Sequence, residues 1–217
     1  HDIVDHHAEA LAAARTQGIE LIPGLEMSAS LGGQEVHVLG FCFDVANEAL
    51  QRLLAEQRTR RIRRVHEMVS RLKRVGLHIT PEEVFAAAKE QGAVGRPHVA
   101  DVLVRRGYVA TRKEAFDRYI GADGPAYIPG SPLSPQQAIQ AIRHAGGVPV
   151  LAHPGYLKDE ALIEQLAREG LGGLEVYHSS HGSEAIAHYG ALADRLGLLK
   201  TGGTDYHGQA KEGVIIG

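Results

Sequence analysis

The chain has 217 residues, a formal net charge of -3 and 44% hydrophobic residues. That length suits one large domain or a domain with an insertion, and the near-neutral balance supplies no global field that would draw in nucleic acid or a membrane surface. No run of 18 apolar residues occurs, which excludes a transmembrane helix, and a single cysteine excludes an intrachain disulfide. No basic-then-apolar leader opens the chain, and a lone Cys42 fits a reducing compartment, so a cytoplasmic location is expected. Cys42, in Leu39-Gly40-Phe41-Cys42-Phe43, reads as a small buried core residue.

In chain order, Ala8 to Gln17 has helical composition and ends at Gly18, a plausible cap. Residues 19 to 26 and 35 to 43 read as strands joined by a Gly32-Gly33 turn. From Asn47 to Gly76 the pattern changes to a long helix, with Leu50, Leu53, Leu54, Ile62, Val65, Val69 and Leu72 at helical spacing. That helix carries nine basic residues against three acids, and its Arg58 to Arg64 cluster reads more readily as a solvated, ion-paired face than as an RNA track. Thr80-Pro81-Glu82-Glu83 is a helix start with a Thr cap, Pro in first place and Glu in third. Further helices are expected at Pro97 to Arg106 and at Arg112 to Ile120, the second capped by Thr111.

Residues 46–125 thus read as a mostly helical insertion, and Gly121 to Pro135 as a linker back to a main body of residues 1–45 and 126–217. Helix (Pro135 to Ala145), strand (148–152), helix (Asp159 to Glu169), strand (Leu174 to Tyr177), helix (Ser183 to Leu196) and strand (198–203) then alternate. That order implies parallel pairing with right-handed crossovers in an α/β fold.

Four short apolar runs each lead to a potential metal ligand: Ile19 to Glu26, Glu35 to His37, Val148 to His153, and Leu198 to Asp205 and His207. In a parallel α/β barrel the carboxyl ends of the strands form the active-site face. Imidazole and carboxylate groups converging there suit a hard or borderline metal, which points to a metal-dependent hydrolase. Asp205 and His207, two residues apart in an extended stretch, share a face. Glu26 is of the type that can bridge two metals. His37, inside Val36-His37-Val38-Leu39, reads on its own as a structural histidine. No G-x-S-x-G elbow and no P-loop occur, and Cys42 has no evident partner base. A two-metal route needs no protein nucleophile.

Taken together, His1-Asp2, Pro23-Gly24-Leu25-Glu26-Met27-Ser28, Glu35-Val36-His37-Val38-Leu39-Gly40, Leu151-Ala152-His153-Pro154 and Gly203-Thr204-Asp205-Tyr206-His207 resemble the motifs of the PHP (polymerase and histidinol phosphatase) family. The match is to its branch of nucleoside 3',5'-bisphosphate phosphatases and RNA 5'-end exonucleases. Arg58 to Arg64, Gly95-Arg96-Pro97-His98-Val99-Ala100 and Tyr127-Ile128-Pro129 in the insertion resemble that branch too.

The resemblance implies a distorted seven-stranded (β/α) barrel with His1, Glu26, His37, His153, Asp205 and His207 holding up to three divalent ions (Mn, Mg, Fe or Zn). It implies hydrolysis of small nucleotides or short RNA 5' ends by a metal-activated hydroxide, resting on Asp205, His207 and Glu26. Arg96 and His98 resemble phosphate-holding positions, in an insertion expected over the barrel mouth. His181, better placed than His178, would touch substrate or a third metal, and Glu175 would support the ligands. The family opens with an H-x-H strand and a nearby Asp; His1 matches a point beyond them, so a longer protein is expected, its first strand preceding this chain. A histidinol-phosphate phosphatase and an inactive metal- or nucleotide-binding module are the alternatives. No membrane, double-stranded DNA or obligate protein partner is expected.

Overall fold

The computed structural model describes residues 1–88, 93–206 and 214. Helix α1 (His7–Thr16) leads to strands β1 (Gly24–Leu31) and β2 (Gln34–Phe41), then α2 (Glu48–Arg74), α3 (Pro81–Ala88), α4 (Arg96–Arg105) and α5 (Arg112–Ala115), which runs on as a π-type turn over Phe116–Ile120. Next come α6 (Pro135–His144), β3 (Val148–Leu151), α7 (Ala161–Arg168), β4 (Gly173–His178), α8 (Ser183–Leu196) and β5 (Leu199–Gly203). The fold is mixed α/β. Among the described residues the five strands form one sheet in the order β1-β2-β3-β4-β5. No helix of the described residues is long and apolar enough to cross a membrane.

The sheet is parallel over β3-β4-β5 but antiparallel between β1 and β2 and between β2 and β3. The two-residue connection explains the first departure, because parallel neighbours need a long crossover. Gly32 and Gly33 make that turn at φ 57° and 83°, values that a tight hairpin of matching twist demands and that glycine adopts without strain. The first strand also lies later than the 19 to 26 expected from its apolar run. Ile19 and Ile22 are exposed, and the strand begins only after Pro23, continuing to Leu31. What selects that register is alternation: Leu25, Met27 and Ala29 are buried on one face, and Val36 and Val38 join them from β2.

Cys42 corrects another expectation, since it is exposed. It follows the last residue of β2 at φ 58°, its amide donating to the Pro23 carbonyl at 2.9 Å as the chain leaves the sheet. The ladder thus continues through its backbone while its side chain faces solvent.

Two compact units emerge, His1–Leu53 with Pro132–Gly217, and Leu54–Ser131. The division falls inside α2, an unbroken helix, where no change of composition marks it. In the first unit α6 lies against β1, β2 and β3 and buries Ala138, Ile139 and Ile142, while α8 lies against β4 and β5. A Cβ on Gly40 would meet Ile142 at 3.0 Å, so that strand position is matched to the helix above it. Helix α6 starts on a reciprocal cap, Ser134 accepting from Gln137 N and Gln137 accepting from Ser134 N.

The second unit has its own core, including Val65, Met68, Leu72, Val84, Val99, Leu103 and Ile120. Three arginines of α2 are tied within this unit to loop carbonyls: Arg61 to Val94, Arg64 to Ile128 and Arg71 to Tyr127. Thr80 and Glu83 cap α3 reciprocally, and Thr111 accepts from Glu114 N at the start of α5. Leu103 is fully buried. Leu103→Ala is therefore expected to cost about 2–5 kcal/mol by the cavity it leaves, read as a lower denaturant midpoint with unchanged slope.

Candidate metal centre

Glu26 and His37 reach the site from the face of the hairpin, not from strand ends. The β1–β2 register pairs Glu26 with Leu39 and Ser28 with His37, so Glu26 and His37 are diagonal neighbours on the half-exposed face. His153 arrives two residues after β3, at φ 29°. His1 is brought in by the backbone beside β1: Asp2 N donates to the Glu26 carbonyl at 2.8 Å, and Asp2 Oδ1 accepts from Ser28 N at 2.9 Å.

These elements put three imidazoles around one carboxylate. His1 Nε2 lies 3.4 Å from Glu26 Oε2, His37 Nδ1 lies 2.9 Å from Oε1, and His153 Nε2 lies 3.6 Å from the same Oε1. His37 Nδ1 and His153 Nε2 are 3.1 Å apart. Ligand atoms of His1, Glu26 and His37 all fall within 4.8 Å of one another. The rings continue as a row. Centroids are separated by 4.7 Å from His1 to His37, 5.1 Å to His153, 5.7 Å to His178 and 5.4 Å to His181.

Burial raises the Glu26 carboxyl's pKa, but the close His153 and His37 imidazoles outweigh it and hold the group well below the usual carboxylate range. Burial lowers that of His153, yet Glu26 with Asp205 and Glu175 moves it upward overall. Glu26 Oε1 is nonetheless buried without a well-directed hydrogen-bond donor, although two imidazole nitrogens lie within ion-pair range. A buried, ionised oxygen between two imidazole nitrogens, each a possible ligand in its neutral form, is an arrangement that a cation would complete. Nitrogen and oxygen donors in this mixture fit a borderline divalent metal.

Two carboxylates back this cluster. Glu175 in β4 accepts from His153 N at 2.7 Å, which fixes the backbone of a residue in an unfavourable conformation. Its pKa is raised, chiefly by burial. A Cβ on Gly203 would meet Glu175 Oε1 at 2.4 Å, so glycine there leaves room for the carboxylate. Asp205, two residues past β5, acts electrostatically on both His153 and Glu175. Asp2, His153 and Asp205 are all non-glycine residues at positive φ (58°, 29° and 51°). Each such conformation costs about 1–3 kcal/mol and persists where surroundings over-determine it.

The remaining residues singled out by sequence fall in three places. His207 lies outside the described residues. His181 is buried, with Nδ1 2.9 Å from the Val176 carbonyl and Nε2 without a hydrogen-bond partner. Arg96 and His98 belong to the second unit. There the Arg96 guanidinium lies 5.4 Å from the Phe116 ring centroid and 6.0 Å from that of Tyr127. His98 Nδ1 accepts from Gly95 N at 3.0 Å at the start of α4, and burial lowers its pKa. Asp2 was not among the expected site residues. Its buried carboxylate sits next to His1 in sequence, but nothing in the sequence shows that it pins that histidine to β1.

No protein-family model matches the chain. It is 32% identical over 222 residues to the 3',5'-nucleoside bisphosphate phosphatase of Chromobacterium violaceum, spanning 100% of this chain and 78% of that protein. It is 31% identical over 217 residues to the 5'-3' exoribonuclease Rnm of Salmonella typhimurium, spanning 94% and 74%. A Bifidobacterium adolescentis protein of known structure, named as a candidate metal-dependent phosphoesterase, superposes with a TM-score of 0.87 at 36% identity, over 98% of this chain and 77% of that one. With the carboxylate-centred histidine cluster carried on the same fold, these similarities show that the chain belongs to the PHP family of metal-dependent phosphoesterases, in the branch of nucleoside 3',5'-bisphosphate phosphatases and RNA 5'-end exonucleases.

Proposed function

We propose that the chain hydrolyses phosphate esters of small nucleotides, nucleoside 3',5'-bisphosphates foremost, and the phosphodiester at short RNA 5' ends. The observation that carries this reading is Glu26, its two oxygens facing His1 on one side and His37 and His153 on the other. The relatives named for these two substrates support it.

His1, Glu26, His37, His153, Asp205 and His207 would hold up to three divalent ions, Mn, Mg, Fe or Zn. Metal bound there supplies a Lewis acid for the phosphate oxygens and acidifies a water molecule. The protein's own share is positional and electrostatic. Glu26 stays ionised across the physiological range, because its neighbours hold its pKa low. Glu175 orients His153 through the backbone. Catalysis is assigned to Glu26, Asp205 and His207, and substrate binding to Arg96, His98 and His181. The family's seven-stranded barrel, an insertion over residues 46–125 and a cytoplasmic location belong to the same proposal.

Phosphate release from adenosine 3',5'-bisphosphate, measured with added Mn and again with chelator, tests the reading. Release that requires the metal is expected. A folded, Mn-loaded protein that releases none would leave a binding module instead. Glu175→Gln is expected to weaken metal affinity about 10- to 100-fold, as removal of outer support for a ligating histidine does. Mn titration calorimetry reads that loss, and an unchanged affinity would show that Glu175 does not support the ligating histidine.

A further inference from the structure

We propose that Tyr156 is the platform on which the substrate's nucleobase stacks, and hence the residue that selects nucleotides from other phosphate esters; this rests on the phosphoesterase reading above. Tyr156 is a large aromatic that the fold leaves 57% exposed. It is not at a remote surface. Its ring centroid lies 5.2 Å from that of His153, at an interplanar angle of 51°, and 6.1 Å from that of His178, at 82°. One edge of the ring region thus meets the imidazole row while much of the residue faces water.

The backbone beneath the ring is fixed. Tyr156 ends a short 3-10 turn (Pro154–Tyr156) that starts directly after His153. Its amide donates to the His153 carbonyl at 3.1 Å, and its own carbonyl accepts from Gln34 Nε2 at 3.2 Å. One residue earlier, a Cβ on Gly155 would lie 2.9 Å from His181 Nε2, so glycine lets this turn sit close against the histidine. The same backbone segment that sets His153 therefore sets the main chain of Tyr156 beside it.

Leaving a tyrosine ring in water forfeits the burial that usually justifies a large aromatic. A part-exposed aromatic ring, in contact with His153 and His178 beside the centre that would take the phosphate, is a stacking surface for a planar partner. A phosphate ester whose alcohol carries a nucleobase supplies that partner. Stacking of this kind tolerates any base, since every base has a π-face, which suits an enzyme acting on nucleotides of varied sequence.

The test compares wild type, Tyr156→Ala and Tyr156→Phe on two substrates, adenosine 3',5'-bisphosphate and the abasic 1-deoxyribose 3,5-bisphosphate, each with saturating Mn. Tyr156→Ala is expected to raise KM for the adenosine substrate about 10- to 100-fold, with kcat little changed. It should leave both constants for the abasic substrate within about twofold of wild type, because uniform binding to the base is what it removes. Tyr156→Phe should behave as wild type. Equal losses on the two substrates, no loss on either, or a Phe variant as impaired as the Ala variant would overturn the assignment while leaving the phosphoesterase reading intact. A wild-type protein inactive on both substrates would overturn that reading, and the assignment with it.

Discussion

Glu26→Gln is expected to cut phosphate release by about a thousandfold or more, equivalent to at least about 4 kcal/mol of transition-state stabilisation. The substitution keeps shape and removes charge. In the native protein one carboxylate faces three imidazole nitrogens at 2.9, 3.4 and 3.6 Å. An amide in its place presents N–H donors to nitrogens, or a neutral oxygen where an ionised one would hold a cation. The β1 backbone is not altered, and its hairpin pairing and buried Leu25 and Met27 remain. Unchanged circular dichroism alongside lost Mn binding is the expected pairing of results. A variant that keeps its activity would show that Glu26 is not the hub.

Acidification should weaken metal binding steeply. Burial opposes protonation of His153, but Glu26, Asp205 and Glu175 outweigh it, so the folded pKa lies above the unfolded one. In the metal-free protein this contributes stability that is fully present below the unfolded pKa, near 6.5 for an imidazole, and is lost as pH rises through the folded value. Glu26 runs the other way. Its folded pKa is depressed, so its contribution is present above the unfolded carboxyl value of about 4.3 and is lost as pH falls through the folded one. Ligation requires His153 neutral, and one competing proton weakens affinity about tenfold for each pH unit below its pKa. Thermal midpoints measured with and without Mn should therefore diverge as pH rises from 5 to about 8, the added metal stabilising most at the alkaline end. A metal increment independent of pH would contradict ligation by His153.

His153 and Asp205 are legible in sequence for a physical reason. Each lies just past a parallel strand, where apolar runs stop and the backbone opens to solvent. Glu26 and His37 are legible by residue type but not by position. They sit inside β1 and β2, and they converge because alternate residues of a hairpin share a face. The apolar run from Ile19 suggests a strand ending on Glu26, yet Ile19 is 63% exposed and the strand starts at Gly24. Hydrophobicity along a line does not say which apolar residues find a partner layer. Cys42 fails for the same kind of reason, since its exposure follows from a backbone turn at φ 58° that no composition rule encodes. The hold of Asp2 on β1 and the contacts of Tyr156 with two histidine rings are not legible in sequence, because they are made through space, the first across 26 residues.

Glu26, His1, His37 and His153 would together form the metal centre. Diffraction from crystals soaked in Mn, recorded at the manganese absorption edge, tests it most directly. Anomalous peaks are expected within coordination distance of Glu26, with His37 and His153 among the ligands. Peaks confined to other parts of the molecule, or none in crystals of a protein whose phosphate release depends on Mn, would contradict it.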